Sequence, residues 1–250
     1  MSGFEEQWQR RFERFATRHQ ADHLVSGWSL AGLRQRVALF ERLLDRGLLP
    51  PGRRVLELGC GAGTYVRLLG KRGYPVVGLD YSLPSLSRAA AADPGGRYVA
   101  GSAYALPFPS GAFHAVVCVG VLQVLEHPDA AIAEMARILA PRGIVLIETL
   151  NPWNPVAVAR RLAAFTQRQP TRLRYASAGM IERAMARYGV RAVQRIGIVL
   201  PPKSLPGLAE PLGRARLQRV LGVVPQLSQI NAGVLKKVFV ACFDCQALKS

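Results

Sequence analysis

Three glycines at alternate positions, Gly59, Gly61 and Gly63, stand between an apolar run that contains an acid (Val55 to Leu58, with Glu57) and a helical segment beginning near Tyr65. Glycine lets the backbone turn tightly and approach a ligand, and a helix that starts at once presents free N–H groups to it. Seventeen residues beyond Gly63, a second apolar run, Val76 to Leu79, ends in Asp80. A carboxylate there can accept both hydroxyls of a ribose, so the two features together point to an adenosine-containing ligand. On these residues alone a nicotinamide dehydrogenase stays open, because the G-x-G-x-G spacing is weakly diagnostic.

A few side chains further on can do acid–base or binding work. His127 precedes Pro128 and Asp129 near the carboxyl ends of the fourth and fifth apolar runs, where it can take a proton from a phenol or alcohol. The competing reading is that it merely starts a helix. Asn151, in the stretch E-T-L-N-P-W-N, stands where an acceptor can bind, and Asn-Pro-Trp reads equally well as a turn. His19 and His23 are weaker bases that depend on an N-terminal helix closing over the site. Cys60 needs no redox role and Cys118 falls in a buried run, while Cys242 and Cys245 form a lone C-x-x-C, half a zinc site, so no metal is expected.

The elements that must hold these residues follow from periodicity. Phe4, Trp8, Phe12 and Phe15 recur at helical spacing with charges between them, an aromatic stripe that packs on a core or roofs a neighbouring site. A second helix carries Leu33, Val37, Phe40 and Leu44 and ends near Gly47. From Arg53, short continuous apolar runs alternate with helices: strands at Val55 to Leu58, Val76 to Leu79, Tyr98 to Ala100, Ala115 to Val119 and Ile144 to Ile147, and helices at Tyr65 to Arg72, Leu83 to Ala92 and Ala130 to Leu139. Continuous Val/Ile/Leu runs are strands buried on both faces, as in a parallel sheet built of βαβ units. A helix from Ser177 to Tyr188, a run from Ala192 to Leu200 and a last strand from Val234 to Phe243 complete the pattern. Two Pro-, Arg- and Leu-rich inserts, Asn151 to Arg174 and Pro201 to Gly233, are where selectivity for a substrate is built.

The ordered set E-L-G-C-G-A-G, G-L-D-Y-S (Gly78 to Ser82), G-S-A-Y-A-L-P-F-P-S-G-A-F-H (Gly101 to His114), V-L-E-H-P (Val124 to Pro128) and A-P-R-G-I-V-L-I-E-T (Ala140 to Thr149) resembles the class I S-adenosylmethionine-dependent methyltransferases, from about Arg53 to Thr149. The resemblance implies a doubly wound, mostly parallel seven-stranded α/β sheet with S-adenosyl-L-methionine as cofactor. It implies an N-terminal helical lid over residues 1–50, a cofactor-binding core over 51–150, and a C-terminal part, 151–250, of the same domain with lid inserts at 151–175 and 201–233. By the same resemblance Glu57, Gly59, Gly61 and Gly63 line the methionine and ribose end, Asp80 holds the ribose hydroxyls, Tyr81 packs beside the adenine, Ser102 takes the position that bonds the adenine amino group, and Cys60, Ala103 and Val119 complete the cofactor-binding set. Ser102 stands where relatives commonly carry Asp, and His114 where they usually carry Asp; the first weakens or reshapes adenine recognition, the second alters hydrogen bonding at a strand end. Thr-Leu-Asn at 149–151 is similar to the quinone-pathway O-methyltransferases, whereas the C-methylating quinone relatives carry a different sequence there.

Composition narrows the acceptor. The 250 residues are 50% hydrophobic, which excludes wholesale disorder, and no apolar run approaches the roughly 18 residues that span a bilayer. With no signal-peptide pattern and four uneven cysteines, a cytoplasmic protein is expected. The net charge of +17 lies almost entirely in residues 151–250, where 16 Lys/Arg face 3 Asp/Glu. With Leu and Val between its arginines, notably over Leu212 to Val224, that third can rest on anionic lipid and meet a lipophilic acceptor. The expected activity is methylation of a small molecule, most readily at oxygen. An RNA methyltransferase using the basic third, and a cofactor-binding protein without transferase activity, are the alternatives.

Overall fold

A computed structural model of the chain describes residues 3–153, 158, 173–198 and 230–237. Three helices come first: α1 (Phe4–Arg18), α2 (Asp22–Val25) and α3 (Leu30–Asp45). Glu5 and Glu6 lie in the first turn of α1 and Arg18 in its last, the charge order that the helix dipole favours. The Ser29 hydroxyl caps α3 by accepting from the Gly32 N–H. There follow β1 (Val55–Leu58), α4 (Thr64–Lys71), β2 (Val76–Asp80), α5 (Leu83–Ala92), β3 (Arg97–Ala100), β4 (Phe113–Val119), a 3-10 turn at Leu122–Val124, α6 (Pro128–Ile138), β5 (Leu139–Leu150), α7 (Ala178–Ala186), β6 (Val190–Ile198) and β7 (Ile230–Lys237).

Among the described residues the strands form one sheet in the order β3-β2-β1-β4-β5-β7-β6. Strands β1 to β5 pair in parallel, while β7 runs antiparallel between β5 and β6. Alternation sorts the side chains. Leu56, Leu58, Val116, Cys118, Val145 and Ile147 pack with Ile132, Met135 and Ile138 of α6 and with Met185 of α7. Val55, Ala115, Val117 and Leu146 face the other way, against Phe40 and Leu43 of α3 and Tyr65 and Leu69 of α4. The next residues in that second register, at the carboxyl ends of the strands, are Glu57 and Glu148. The fold therefore carries two acids on the face covered by α3 and α4.

Several boundaries differ from the sequence reading. Strand β5 begins at Leu139, not Ile144, because Leu139 pairs with Phe113 before a register shift places Ile144 opposite Ala115. The intervening residues bulge around Arg142, whose φ is 61°. Accordingly α6 ends at Ile138, and β4 begins at Phe113. Strand β6 runs over Val190–Ile198, two residues earlier than expected, since Val190 and Arg191 pair with Lys237 and Lys236. Ile230 to Gly233, placed in an insert on sequence grounds, belong to β7 through pairing with Leu150 to Ile147. The aromatic stripe is not core in the main: of its four rings only Trp8 is buried. The short α2 was not expected. Most of both inserts, Leu212 to Val224 and the pair Cys242 and Cys245 lie outside the described residues. Among the described residues no helix is long and apolar enough to cross a membrane, and no His/Cys/Asp/Glu group could hold a metal.

Candidate functional site

Strand β1 delivers Glu57 and then turns through Gly59 to Gly63 into α4, beside the end of β2. The Asp80 carboxylate locks this turn: Oδ2 accepts from the Gly61 N–H at 2.8 Å and Oδ1 from the Ser82 N–H at 2.9 Å. Burial pushes its pKa up, against the pull of those backbone donors. Two glycines are required for different reasons. At Gly59, with φ +72°, a Cβ would fall 2.3 Å from Val121 Cγ2, so the chain's own packing demands glycine. At Gly61, with φ +52°, the nearest atom to a Cβ is Ser26 Oγ at 3.9 Å, so the backbone there keeps an open cradle.

Glu57 sits at the floor of this cradle, 4% exposed. It accepts a hydrogen bond from the Val66 N–H of α4, yet its Oε2 is buried without a partner. Desolvation is the main cause that raises its pKa well above the ordinary carboxylate range, and the Asp80 charge adds to it. An unpaired buried carboxylate oxygen costs stability unless something supplies a donor or positive charge. The α-ammonium of S-adenosylmethionine is such a group, and Asp80 at the end of β2 retains lone pairs for ribose hydroxyls, so the residues present fit that cofactor.

The N-terminal helices roof the site. Tyr81, just past β2, donates to the Gln9 carbonyl at 3.2 Å. Tyr104 donates to the Glu5 carboxylate and accepts from the Glu126 and His127 N–H groups at 3.0 and 3.1 Å. At the far end of α1, Arg88 of α5 donates to the Ala16 carbonyl. Asp22 of α2 reaches the start of α4, accepting from Thr64 Oγ1 at 2.6 Å and pairing with Arg67, which also donates to the Ala62 carbonyl at 2.5 Å. Ala16, Val25 and Ala62 bury one another beneath. Helix α1 thus crosses the ends of the strands from the 3-10 turn to α5.

The other residues singled out from sequence fall as follows. Ser102 Oγ accepts from the Tyr104 N–H at 3.1 Å, and Ala103 packs against the main core. Val119, half-buried, pairs with Glu148 across β4 and β5. Cys60 is buried, with a thiol pKa pushed up by desolvation. His127 is exposed at the N-terminal end of α6, with no capping side-chain bond, and its ring is 6.2 Å from that of Tyr104. Asn151 is 2% exposed, and its Oδ1 accepts from the Trp153 N–H at 3.0 Å, so it forms a turn just past β5. His114, at the opposite end of the sheet, lies with Nε2 3.2 Å from Arg53 Nη1; burial first, then Arg53 and Arg54, lowers its pKa. His19 stacks on Phe15, 5.9 Å between centroids, at the end of α1.

Sequence reasoning passed over the Asp22, Thr64 and Arg67 cluster, the Tyr104 bridge to Glu5, and a buried pair between Arg36 and Glu148. A carboxylate opening a short helix, and an arginine at the helical spacing of the buried residues Gly32, Phe40 and Leu44, were the available signals.

Residues 56–147 match the family of methyltransferase domains. Over 134 residues the chain is 31% identical to malonyl-[acyl-carrier protein] O-methyltransferase of Serratia marcescens, covering 50% of this chain and 52% of that one. Over 103 residues it is 38% identical to demethylmenaquinone methyltransferase of Renibacterium salmoninarum, covering 41% and 44%. The chain spans about half the length of the curated relatives it matches. A crystal structure of an S-adenosylmethionine-dependent methyltransferase from Thermotoga maritima, a possible histamine N-methyltransferase, superposes with a TM-score of 0.62 at 16% identity, covering 91% of this chain and 99% of that one.

Proposed function

We propose that this chain, which belongs to the class I S-adenosylmethionine-dependent methyltransferase superfamily through residues 56–147, methylates a small molecule, at an oxygen of a phenolic or lipophilic metabolite. The observation that carries the reading is Glu57, an acid buried at the glycine turn with one oxygen left unpartnered beside an open cradle. Held there by Glu57 and Asp80, S-adenosylmethionine would supply a methyl from its sulfonium to the acceptor oxygen and be left as the thioether, with the acceptor's proton passing to His127 or to solvent. The chain's task is alignment.

In this reading Glu57 faces the ammonium of the cofactor and Asp80 takes the ribose hydroxyls while holding Gly61 and Ser82. Tyr81 and Ser102 border the adenine, with Cys60, Ala103 and Val119 as further contacts of the cofactor. Of the expected lid over residues 1–50, helices α1 and α2 act as the cover that excludes water, fastened through Glu5, Gln9 and Asp22, while α3 packs into the core against the sheet. His127, exposed beside Tyr104, is the base for an acceptor that does not ionise unaided, and the turn set by Asn151 shapes the acceptor side. The names of the two curated relatives, one for a malonyl-carrier acceptor and one for a demethylated quinone, support a small or carrier-bound acceptor. The excess of basic residues beyond residue 150 supports peripheral contact with anionic membrane, where lipophilic acceptors dissolve.

Calorimetric titration with S-adenosylmethionine and with S-adenosylhomocysteine tests the cofactor, and binding of about micromolar strength is expected. Transfer of labelled methyl to phenols and lipid-linked compounds, against RNA as comparator, tests the acceptor. Methylation of RNA alone overturns the small-molecule reading. Flotation with anionic and neutral vesicles tests the membrane contact, which equal failure with both removes.

A further inference from the structure

Trp8 is 8% exposed, and its indole Nε1 is buried with no hydrogen-bond partner. It is the one buried residue in the first three turns of α1. Its neighbours in the helix are pinned on both sides of the crevice: Glu5 to Tyr104 and the Glu126 N–H, and Gln9 to Tyr81. A surface helix has one inward face, so Trp8, as the buried residue there, lies on the side of α1 turned toward the rest of the protein. It belongs to none of the apolar clusters of the protein's interior; its described ring contacts are Phe12, 5.6 Å away, and the Arg11 guanidinium, 5.0 Å away, both on α1 itself.

Indole N–H is a donor only, and tryptophans that are buried usually find an acceptor for it. Leaving it unpaired costs free energy that an aliphatic or phenyl side chain at this position would avoid. The other buried side-chain atoms without a partner among the described residues are Glu57 Oε2 at the glycine turn, Gln123 Oε1 in the 3-10 turn, both polar atoms of the Gln35 amide and His114 Nδ1 at the opposite end of the sheet. The Trp8 N–H is thus a buried, unspent donor in a helix fastened across the strand ends, and a ligand held beneath that helix can supply the acceptor.

We propose that Trp8 is a binding residue for the cofactor, its indole N–H donating to an acceptor oxygen or nitrogen of the bound molecule, so that α1 is a wall of the site as well as its cover. This rests on the assignment of S-adenosylmethionine to the crevice. The acceptor on the ligand is one of the carboxylate, ribose or adenine atoms, all of which S-adenosylhomocysteine shares.

The chain has three tryptophans, Trp8, Trp28 and Trp153, so a W28F/W153F variant leaves Trp8 as the only indole reporter. Titrating that variant with S-adenosylhomocysteine, its emission is expected to change in step with calorimetric binding. Trp8→Phe in the otherwise natural chain, checked for an unaltered circular dichroism spectrum, is expected to bind about ten-fold more weakly, the loss of one hydrogen bond to the ligand. Unmoved emission of Trp8 while the variant binds overturns the proposal and leaves the cofactor assignment standing. So does a Trp8→Phe protein that binds as tightly as the natural chain. No binding of S-adenosylhomocysteine to the natural chain overturns the cofactor assignment itself, and the role of Trp8 with it.

Discussion

Arg36 Nε lies 2.9 and 3.0 Å from the two carboxylate oxygens of Glu148, across 112 residues of sequence, with both side chains about 5% exposed or less. Trp28 covers the guanidinium at 4.3 Å from ring centroid to Cζ, and Arg36 Nη1 donates to the Gly32 carbonyl at 3.3 Å. The pair joins α3 to the end of β5, the strand edge next to the crevice. Removing one partner strands a buried charge, so Arg36→Met or Glu148→Gln should each cost about 3–5 kcal/mol in urea unfolding. The double replacement Arg36→Met with Glu148→Leu should recover most of that. Additive losses in the double variant would mean that the two residues act separately.

Glu57→Gln should stabilise the protein while weakening it as a binder. The folded chain holds the Glu57 proton to higher pH than the unfolded chain does, because burial raises the pKa. Stability from this group is therefore greatest at low pH and falls as pH rises through the folded-state pKa. The amide has no such penalty, so at about pH 8 its Tm should exceed that of the natural chain by about 2–4 °C, a gap that closes toward about pH 5. A gap that widens on acidification would reverse the assignment. Affinity for S-adenosylhomocysteine should drop in the same variant.

The same raised pKa bears on how binding depends on pH. A ligand ammonium beside Glu57 favours the ionised carboxylate, so binding releases a proton and tightens as pH rises until Glu57 is already ionised in the free protein. Calorimetry in buffers of different ionisation enthalpy should reveal that release in the natural chain and its loss in Glu57→Gln. Identical heats across buffers for the natural chain would separate Glu57 from the ligand.

Asp80→Ala should weaken S-adenosylhomocysteine by about 10–100-fold, since it removes acceptors to the ribose and the clamp on the Gly61 N–H together. Unchanged affinity would make the ribose assignment wrong.

Gly59→Ala meets two obstacles, a left-handed φ and a contact of 2.3 Å with Val121 Cγ2. It should cost about 2–4 kcal/mol by thermal or urea unfolding, and adding Val121→Ala should return the part due to collision but not the part due to φ. No recovery in the double variant would place the whole cost in the backbone.

The strands around the glycine turn were legible because β1, β2 and β4 are continuous apolar runs buried on both faces, with an acid at a fixed place near the end of the first two. Where the apolar signal was interrupted, the boundaries moved: Pro141, which lacks an N–H, the charged Arg142 and the flexible Gly143 interrupt β5, yet the chain pairs on either side of them. Helix α2, four residues long, has too few turns to declare a period. The pairing of Arg36 with Glu148, and of Asp22 with Arg67, carries no local trace, since nothing in the neighbourhood of one residue specifies the other. Trp8 was visible as one ring of an aromatic stripe; that its N–H lacks a partner is a property of the assembled roof alone.

Strand β7 occupies the slot between β5 and β6, although it is the last in sequence of the strands among the described residues. During synthesis β5 is complete at Leu150, but its β7 partners begin to appear only at Ile230 and are complete at Lys236. At about 5–20 residues per second, that edge stands open for on the order of 5–20 s while the nascent chain lengthens. An apolar strand with unpaired N–H and C=O groups invites pairing with a stranger over such an interval. The yield of folded material should therefore depend on how quickly the ribosome reaches β7.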